Sequence, residues 1–403
     1  MTGRVAPESE SGGHSHSPAD METPAFVFDA STLVRSLAQL QRLQDASGAK
    51  LLFSIKACAL RSVLEIIAKH VDGFSVSSWF ESRLARTVLA DKGTVHLTSP
   101  GLNARELAAA ADSCDKVSFN SLTQWHRLRA GLHPGVQAGL RVNPQRAYVA
   151  DERYNPCRPY SKLGVPLADL QSALADGSLP PASLQGLHFH SHCESDSYRP
   201  LTETLNVLER AVPALFERIG WLNLGGGYYA HANDSEALAE QVAALRRRYG
   251  FEVYMEPGKA VVGEAGSLAA SVVDIFSSDG KTLAVLDTSV NHQPEVFEYG
   301  RVPPVREHDA AGSHRYLLVG GTCLAGDLFG EYAFTRPLEI GSRITFQGVG
   351  AYSLAKAHRF NGHSLPNVYL RDSDGRLHLV VQDDYEDYAR LWGRAEAVST
   401  GNP

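Results

Sequence analysis

The 403-residue chain lacks several features that would assign it to a special class of protein. No apolar run approaches the roughly 20 residues that a membrane-spanning helix needs, and we expect no secretory signal because no basic segment precedes an apolar one at the N-terminus. Cysteine is scarce, and the five cysteines include no CxxC pair, which argues against a disulfide framework and against a structural metal site. This cysteine usage predicts a protein of the reducing cytoplasm.

A strong charge of either sign is missing as well. The chain has 38 lysines and arginines against 45 aspartates and glutamates, for a net charge of −7. So mild an acidity favours neither nucleic acid nor an anionic membrane as a partner. The hydrophobic fraction of 43% and the charged fraction of 21% are typical of globular proteins. Residues 1–22 contain almost nothing apolar to bury, and we predict a disordered tail there.

Short apolar runs alternate with segments of helical spacing from residue 25 onwards. In 31–43 four leucines fall on one helical face, and 60–68 shows the same spacing. If the first run, 25–29, is set aside, eight strands remain within about 210 residues, which is typical of a (β/α)8 barrel of the TIM type. A doubly wound open sheet is the competing fold, but the glycine fingerprint after its first strand is absent. The eight predicted strands are 50–56, 73–78, 95–99, 116–121, 138–143, 184–190, 221–227 and 251–258.

The pattern changes after about residue 262, where the helical periodicity fades. Short apolar runs separated by turn residues indicate a C-terminal antiparallel β domain. We therefore expect an α/β barrel domain over 23–262 and a β domain over 263–403, with the run 25–29 as a candidate extra strand of the β domain. The predicted C-terminal strands are 268–276, 282–288, 315–319, 343–348, 367–371 and 377–382.

Residues with chemical potential collect where the predicted barrel strands end. Lys56 ends the first strand, His190 the sixth and Glu256 the eighth, while the triple glycine 225–227 ends the seventh. In barrels of this kind the active site lies at the C-terminal ends of the strands. Each feature alone has an ordinary structural explanation, but their convergence on one rim favours an active site.

The residue types at this rim suit one cofactor. A partly buried lysine such as Lys56 has a lowered pKa and can form a Schiff base with an aldehyde. Consecutive glycine N–H groups can hold a phosphate, and Gly258 or Lys259 can add a further contact. Buried Glu256 needs a proton-bearing partner such as a protonated pyridine nitrogen, and His190 can stack on a flat ring. Together these groups predict pyridoxal 5'-phosphate.

The chain resembles the fold-type III pyridoxal-phosphate enzymes of the alanine racemase and ornithine/diaminopimelate decarboxylase class, and within that class the carboxynorspermidine (carboxyspermidine) decarboxylases. The resemblance extends over roughly residues 23–371. Its main segments are Ser54-Ile55-Lys56-Ala57, Ser77-Ser78-Trp79-Phe80-Glu81, Gly186-Leu187-His188-Phe189-His190, Leu222-Asn223-Leu224-Gly225-Gly226-Gly227, Glu256-Pro257-Gly258, Thr322-Cys323-Leu324-Ala325-Gly326-Asp327 and Gly350-Ala351-Tyr352. The Cys-Leu-Ala-Gly-Asp segment is the most specific to the subfamily.

The resemblance implies a role for each matched cofactor residue. Lys56 would bind the cofactor covalently, His190 would stack on its face, and Glu256 would pair with the pyridine nitrogen. Glu81 would lie near the cofactor. The residues implied to hold the phosphate are Gly225, Gly226 and Gly227, with help from Tyr352.

The resemblance also implies a homodimer with shared active sites. Cys323 would come from the partner subunit and protonate the α-carbon after carbon dioxide leaves. Asp327 would lie near the distal amine of the substrate, and we count Glu295 as a second substrate-binding candidate. Lys259 and His192 depart from the subfamily pattern near the expected phosphate and substrate regions, so the exact substrate stays open.

These implications predict a carboxy-lyase that removes the α-carboxylate of an amino-acid substrate, with a carboxylated polyamine such as carboxynorspermidine or carboxyspermidine favoured. One alternative is a decarboxylase of the same fold for a siderophore or natural-product amino acid. An amino-acid racemase would need two bases, with Tyr332 and Tyr352 as candidates, but the Cys323 loop favours decarboxylation. An inactive regulatory homologue has no physical need to keep Lys56, Glu256 and Cys323 together.

Overall fold

The computed structural model describes residues 15–16, 21–146, 148–149 and 151–393. These residues form two compact units. The barrel unit comprises residues 31–265 and 350–355, and the β unit comprises the described residues up to Ala30, residues 266–349 and the described residues from 356 on. No helix in the described part of the chain combines the length and the apolar character of a membrane span.

Eight parallel strands close into a ring in the barrel unit. Each strand pairs with its sequence neighbour, and the eighth pairs with the first through Tyr254 opposite Lys50 and Met255 opposite Leu51. This closure confirms the predicted TIM-type barrel and excludes the open sheet. The strands are Lys50–Ser54, Gly73–Val76, Thr94–Thr98, Lys116–Phe119, Gln137–Asn143, Gly186–Phe189, Trp221–Asn223 and Glu252–Met255. Three short strands lie outside the ring, namely Val165–Pro166, Ser195–Ser197 and Tyr228–Asn233.

Amphipathic helices connect the barrel strands. The first helix buries the four leucines whose spacing predicted it, at positions 33, 37, 40 and 43, and the second buries Val63, Leu64 and Ile67. The apolar stripe of each helix is thus removed from water, which is the main source of helix stability in proteins. The helices up to the end of the barrel unit are Ala30–Ser47, Arg61–Ile67, Trp79–Leu89, Ala104–Ala109, Leu122–Leu128, Leu167–Ala175, Arg199–Ala211, Pro213–Phe216, Ser235–Tyr249 and Lys259–Val262.

The β unit is built on a mixed sheet. The strand Ala25–Asp29 lies between Gly266–Ser278, with which it is antiparallel, and Asn367–Arg371, with which it is parallel. A second parallel pairing joins Lys281–Leu286 to His314–Val319. The remaining strands of the unit are Ser15–His16, Leu328–Phe334, Arg343–Gln347 and Leu377–Val381, and its helices are Pro294–Tyr299 and Tyr385–Leu391.

Two features of the β unit differ from the sequence pattern. The strand Leu328–Phe334 was not predicted, because Gly330 and Glu331 interrupt its apolar run, and Gly330 adopts a φ of +135°. Most of the predicted tail, residues 1–14 and 17–20, lies outside the described residues. Within that tail, Ser15–His16 pairs with Leu377–Val381, and Met21 packs into an apolar cluster with Ala25 and Tyr369, among others.

Glycines on two neighbouring strands make room for the largest side chain inside the barrel. A Cβ atom on Gly186 would lie 2.0 Å from the Trp221 ring, and one on Gly139 would lie 2.4 Å from it. Trp221 is almost fully buried. The indole therefore occupies volume that any other residue at either glycine position would need.

We predict that Gly186→Ala lowers the free energy of unfolding by about 2 kcal/mol, because overpacking displaces the Trp221 ring or the strand. Chemical denaturation followed by circular dichroism measures the change. Gly101→Ala is the matched control, since a Cβ there meets no atom within 4 Å, and its free energy of unfolding should change by less than about 0.5 kcal/mol. Equal stability of Gly186→Ala and the wild type would contradict this packing.

Candidate active site

The predicted rim residues all follow the ends of barrel strands, within two or three positions. Lys56 lies in the 3-10 turn Ile55–Ala57, so the first strand ends at Ser54 and not at Lys56 as the apolar run suggested. His190 follows the sixth strand directly, and Glu256 follows the eighth. The hydrogen bond from the Glu256 N–H to the Gly225 carbonyl, at 2.7 Å, ties the seventh and eighth strand ends together.

A cavity of about 580 Å³ opens at this rim within the barrel unit. Lys56, Arg141, His190 and Glu256 line it together with Tyr352. Its volume lies within the range of small-molecule sites. Much of the remaining wall comes from the connection after the fifth strand, including residues 153–156 and 160–163.

The electrostatic environment keeps Lys56 reactive. Water in the cavity reaches its side chain, but the enclosing walls desolvate the ammonium group, and this burial lowers the pKa of Lys56. The negative charge of Glu256 opposes the shift, the positive charge of Arg141 adds to it, and Glu81 opposes it more weakly. A lowered pKa increases the fraction of neutral amine, the form that attacks an aldehyde.

Glu256 is a buried carboxylate, and one of its two oxygens accepts a hydrogen bond from the protein. The Asn223 amide donates to its Oε1 at 2.7 Å, and the Asn223 carbonyl oxygen accepts from the Gly225 N–H at 2.9 Å. The other carboxylate oxygen lies 3.9 Å from His188 Nε2, too far for a hydrogen bond. His188 is neutral, because burial and then the charges of Arg141 and Lys56 hold its pKa well below the usual range. Glu256 therefore keeps an acceptor for a further donor in the cavity.

His190 is held as a neutral ring. Its Nδ1 accepts a hydrogen bond from the Gly226 N–H at 3.1 Å, so that nitrogen carries no proton. Burial, followed by the charge of Lys56, lowers the pKa of His190 well below its usual range. The neutral ring then carries its proton on Nε2, and such an uncharged imidazole can stack on another flat ring.

Close packing around the glycine turn requires glycine at positions 226 and 227. A Cβ on Gly226 would lie 2.1 Å from the Glu256 carbonyl oxygen, and one on Gly227 would lie 2.2 Å from the His192 carbonyl oxygen. The N–H groups of Gly225 and Gly226 donate to Asn223 and His190, as described above. Of the three donors that the sequence suggested for a phosphate, only the Gly227 N–H has no acceptor within the described residues.

A smaller cavity of about 70 Å³ adjoins the rim. Gly227 and Gly258 line it, and among the described residues neither N–H donates to a protein acceptor. Lys259 also lines it, but its ammonium group pairs with Glu194 at 2.8 Å, and the Tyr229 hydroxyl donates to the same carboxylate at 3.1 Å. Two backbone donors and one paired cation thus surround a space suited to an anion.

Glu81 has a local structural role. It lies in the first turn of the helix Trp79–Leu89, and its carboxylate accepts from the Ser77 N–H at 2.6 Å while Ser78 caps the helix. Burial raises the pKa of Glu81, and the Ser77 N–H opposes that shift, followed by the charge of Lys56. Glu81 therefore acts on Lys56 through its charge.

The other three predicted residues lie in the β unit. Cys323 is exposed on a loop. Asp327 is only 3% exposed, and both of its carboxylate oxygens accept hydrogen bonds within that unit. Glu295 pairs with Arg301 at 3.0 Å. The carboxylates of Asp327 and Glu295 thus both have partners within this chain.

Sequence reasoning overlooked several residues of the site. His188 and Asn223 are polar side chains inside apolar strands, and that interruption was the available signal. The wall segment 144–164 is a long connection between Asn143 and Val165. Loops of this length within a compact domain are usually functional, so its length was the signal there.

The fold and the site define a TIM-barrel enzyme whose rim carries a lysine suited to an aldehyde cofactor. Two buried nitrogens of the site, Nε of Arg141 and Nε2 of His188, have no hydrogen-bond partner among the described residues. Glu256 keeps one oxygen available as an acceptor, so these groups can bind a polar molecule beside the Lys56 amine. The glycine-lined cavity beside them has donors for a phosphate. These residues fit pyridoxal phosphate.

Comparisons with known proteins agree with this site. Residues 31–266 match the family described as pyridoxal-dependent decarboxylase, pyridoxal binding domain. The chain is 32% identical over 372 residues to carboxynorspermidine/carboxyspermidine decarboxylase of Herminiimonas arsenicoxydans, covering 91% of this chain and 98% of that protein. It is 33% identical over 382 residues to carboxyaminopropylagmatine decarboxylase of Synechocystis, covering 93% and 96%.

A solved structure gives the same result. The crystal structure of carboxynorspermidine decarboxylase of Campylobacter jejuni, complexed with norspermidine, superposes with a TM-score of 0.82 at 31% identity, over 92% of this chain and 100% of that one. The chain belongs to the family of pyridoxal-dependent decarboxylases. Pyridoxal phosphate is its cofactor, and its class of reaction is decarboxylation.

We predict opposite effects on Lys56 from two neutral substitutions. Glu256→Gln removes the charge that raises the pKa of Lys56, so that pKa falls further, whereas Arg141→Gln removes a charge that lowers it, so that pKa rises. The labelling midpoint of Lys56 should therefore move to lower pH in the first variant and to higher pH in the second. The pH dependence of reductive methylation of Lys56 in the apoprotein, followed by peptide mass spectrometry, measures both.

Exposed Lys69 in the same digests is the internal control, and its labelling midpoint should be the same in all three proteins. Shifts of the Lys56 midpoint in one direction for both variants would contradict this electrostatic description of the site.

Proposed function

We propose that this protein removes the α-carboxylate of a carboxylated polyamine such as carboxynorspermidine or carboxyspermidine. The observation that carries the proposal is the Lys56–Glu256 arrangement in an open cavity, in a chain that matches nearly the full length of a relative named for those substrates. The cavity is large enough for a cofactor and part of an extended substrate.

Four residues would hold the cofactor and orient the reaction. Lys56 would bind its aldehyde, and His190 would pack on its ring as an uncharged plane. Glu256, fixed by Asn223, would accept a hydrogen bond from the protonated pyridine nitrogen. Pyridoxal phosphate supplies an electron sink for the pair left when carbon dioxide departs.

The phosphate would lie in the smaller cavity. The N–H groups of Gly227 and Gly258 would donate to it, with Tyr352 on the same wall. The ammonium group of Lys259 adds positive potential near the phosphate, and its ion pair with Glu194 partly neutralises that charge. Gly225 and Gly226 contribute to this site by shaping the turn and not by donating.

The proton that replaces carbon dioxide would come from Cys323 as general acid. Because Cys323 lies in the β unit, exposed on its loop, we infer a homodimer in which each thiol serves the barrel of the other copy. Three exposed apolar side chains near this loop support an interface there: Leu328 follows the loop in sequence, Phe297 lies close to Gly326, and Val302 lies close to Gly330. All five cysteines are free thiols, which supports a reducing compartment such as the cytoplasm.

The alternative functions differ in how well the described residues and the relatives support them. A racemase using Tyr332 would need its hydroxyl as a base, but that hydroxyl is buried and donates to the Pro303 carbonyl at 2.8 Å. The Synechocystis relative favours a second candidate substrate, a carboxylated amine that ends in a guanidine. Two alternatives remain, a decarboxylase of a siderophore or natural-product amino acid and an inactive homologue. The assay below distinguishes both of them from a polyamine decarboxylase.

We expect the purified protein to show the visible absorbance of a lysine-bound pyridoxal phosphate and to release carbon dioxide from carboxynorspermidine or carboxyspermidine. Lys56→Ala should abolish both, because Lys56 follows the first barrel strand and lines the cavity beside Glu256. Lys259→Ala is the matched lysine control, and it should weaken cofactor affinity while keeping the absorbance at saturation.

An absorbance band without carbon dioxide release from these two substrates would move the assignment to the guanidine-terminated substrate or to another amino acid. Absence of the band after addition of pyridoxal phosphate would contradict the enzyme reading and favour an inactive homologue.

Co-expression of Lys56→Ala with Cys323→Ala tests the shared site. Each variant alone should be nearly inactive, whereas a mixed dimer has one intact site of two, so isolated mixed dimers should show about half of the wild-type activity. Mixed dimers are isolated by two different affinity tags and assayed for carbon dioxide release. Recovery of no activity would contradict a thiol supplied by the partner copy.

A further inference from the structure

The loop that carries Cys323 is built around one buried carboxylate. The side chain of Asp327 accepts four hydrogen bonds, two of them from Thr322, whose hydroxyl lies at 2.5 Å and whose N–H lies at 3.2 Å. The other two come from the Ser289 hydroxyl at 2.9 Å and the Val290 N–H at 2.8 Å. Asp327 thereby joins the start of this loop, Thr322–Gly326, to the turn at residues 289–290.

Further contacts fix the same loop. The Cys323 N–H donates to the Asn361 side-chain oxygen at 2.9 Å, and the Asp327 N–H donates to the Leu324 carbonyl at 2.9 Å. Gly320 has to be glycine, because a Cβ there would lie 2.1 Å from the Asp327 carboxylate. The backbone on both sides of Cys323 is thus held while the residue itself stays exposed.

We propose that Asp327 is a positioning residue for the Cys323 thiol and not a ligand for the distal amine of the substrate. This carboxylate is 3% exposed, and both of its oxygens accept hydrogen bonds from within the β unit, so it does not present a free oxygen to a substrate cation. Its negative charge is compensated by four donors that all belong to the loop or its support. The proposal deepens the proposed function and rests on it.

The step that depends on this geometry is a proton transfer. The S–H bond of Cys323 breaks as a C–H bond forms at the α-carbon, whose electron pair was left by carbon dioxide, and the thiolate then regains a proton from water. If the thiol is misplaced, the proton reaches a different carbon of the conjugated system. Water would then cleave the carbon–nitrogen double bond and supply the oxygen of an aldehyde product, while the amino group would stay on the cofactor.

Three variants separate positioning from folding and from substrate binding. Asp327→Asn replaces an acceptor with a donor facing Ser289 or Thr322, Thr322→Val removes one donor at constant shape, and Thr322→Ser restores that donor. Asp374→Asn, an exposed carboxylate elsewhere in the β unit, is the control. Amide hydrogen exchange of peptides covering residues 320–328, measured on the holoenzyme, reports the loop whether or not the enzyme is active.

The expected result has two parts. Exchange in the loop quickens about ten-fold in Asp327→Asn and Thr322→Val, because local opening becomes easier, and not in Thr322→Ser or Asp374→Asn. The share of aldehyde among the products rises about ten-fold in the same two variants, with kcat lowered and KM nearly unchanged, because the general acid is lost from its place.

Other outcomes would overturn the proposal. Unchanged exchange would show that Asp327 does not hold the loop. A raised KM with unchanged kcat and unchanged product ratio would assign Asp327 to the substrate amine instead. Absence of carbon dioxide release by the wild type from every substrate tested would remove the proposed function and this proposal with it, while the exchange data would still describe the loop.

Discussion

The closure of eight parallel strands is the constraint on which the site depends. Because all eight run in one direction, their carboxyl ends share a rim. Residues 200 positions apart in sequence, such as Lys56 and Glu256, therefore line the same cavity. The fit of the Trp221 ring against Gly139 and Gly186 fills the interior beneath that rim. The same closure brings the seventh and eighth strand ends together, so that the glycine turn can support Glu256.

The charges at the rim are arranged to favour neutral imidazoles and a reactive amine. Burial keeps His188 and His190 uncharged, which leaves Glu256 free of an ion pair with either ring. Lys56 lies between the negative field of Glu256 and the positive field of Arg141, and burial lowers its pKa. The Glu256 carboxylate, held by the Asn223 amide, thus raises the pKa of Lys56 and keeps a second oxygen available as an acceptor in the cavity.

Periodicity and position predicted the barrel and most of its rim. Eight apolar runs with helices between them predicted the closed barrel, and the residues at the ends of those runs gave Lys56, His190 and Glu256. Hydrogen-bond partners could not be predicted, because an N–H donor in a glycine turn gives no sign in the sequence of which acceptor it meets. For this reason Gly225 and Gly226 were expected to hold phosphate, although their donors serve Asn223 and His190. The burial of Asp327 could not be predicted either, because the four hydrogen bonds that its carboxylate accepts come from three different residues.

The most direct test of the account is the covalent position of the cofactor. Reduction of the holoenzyme with borohydride fixes the bond between the cofactor and its lysine, and mass spectrometry of the digest locates it. The account predicts a pyridoxyl group on Lys56 alone, at about one per chain. A label on Lys259 or on another lysine, or no label at all, would contradict the assignment of Lys56 as the cofactor lysine and with it the site described at the rim.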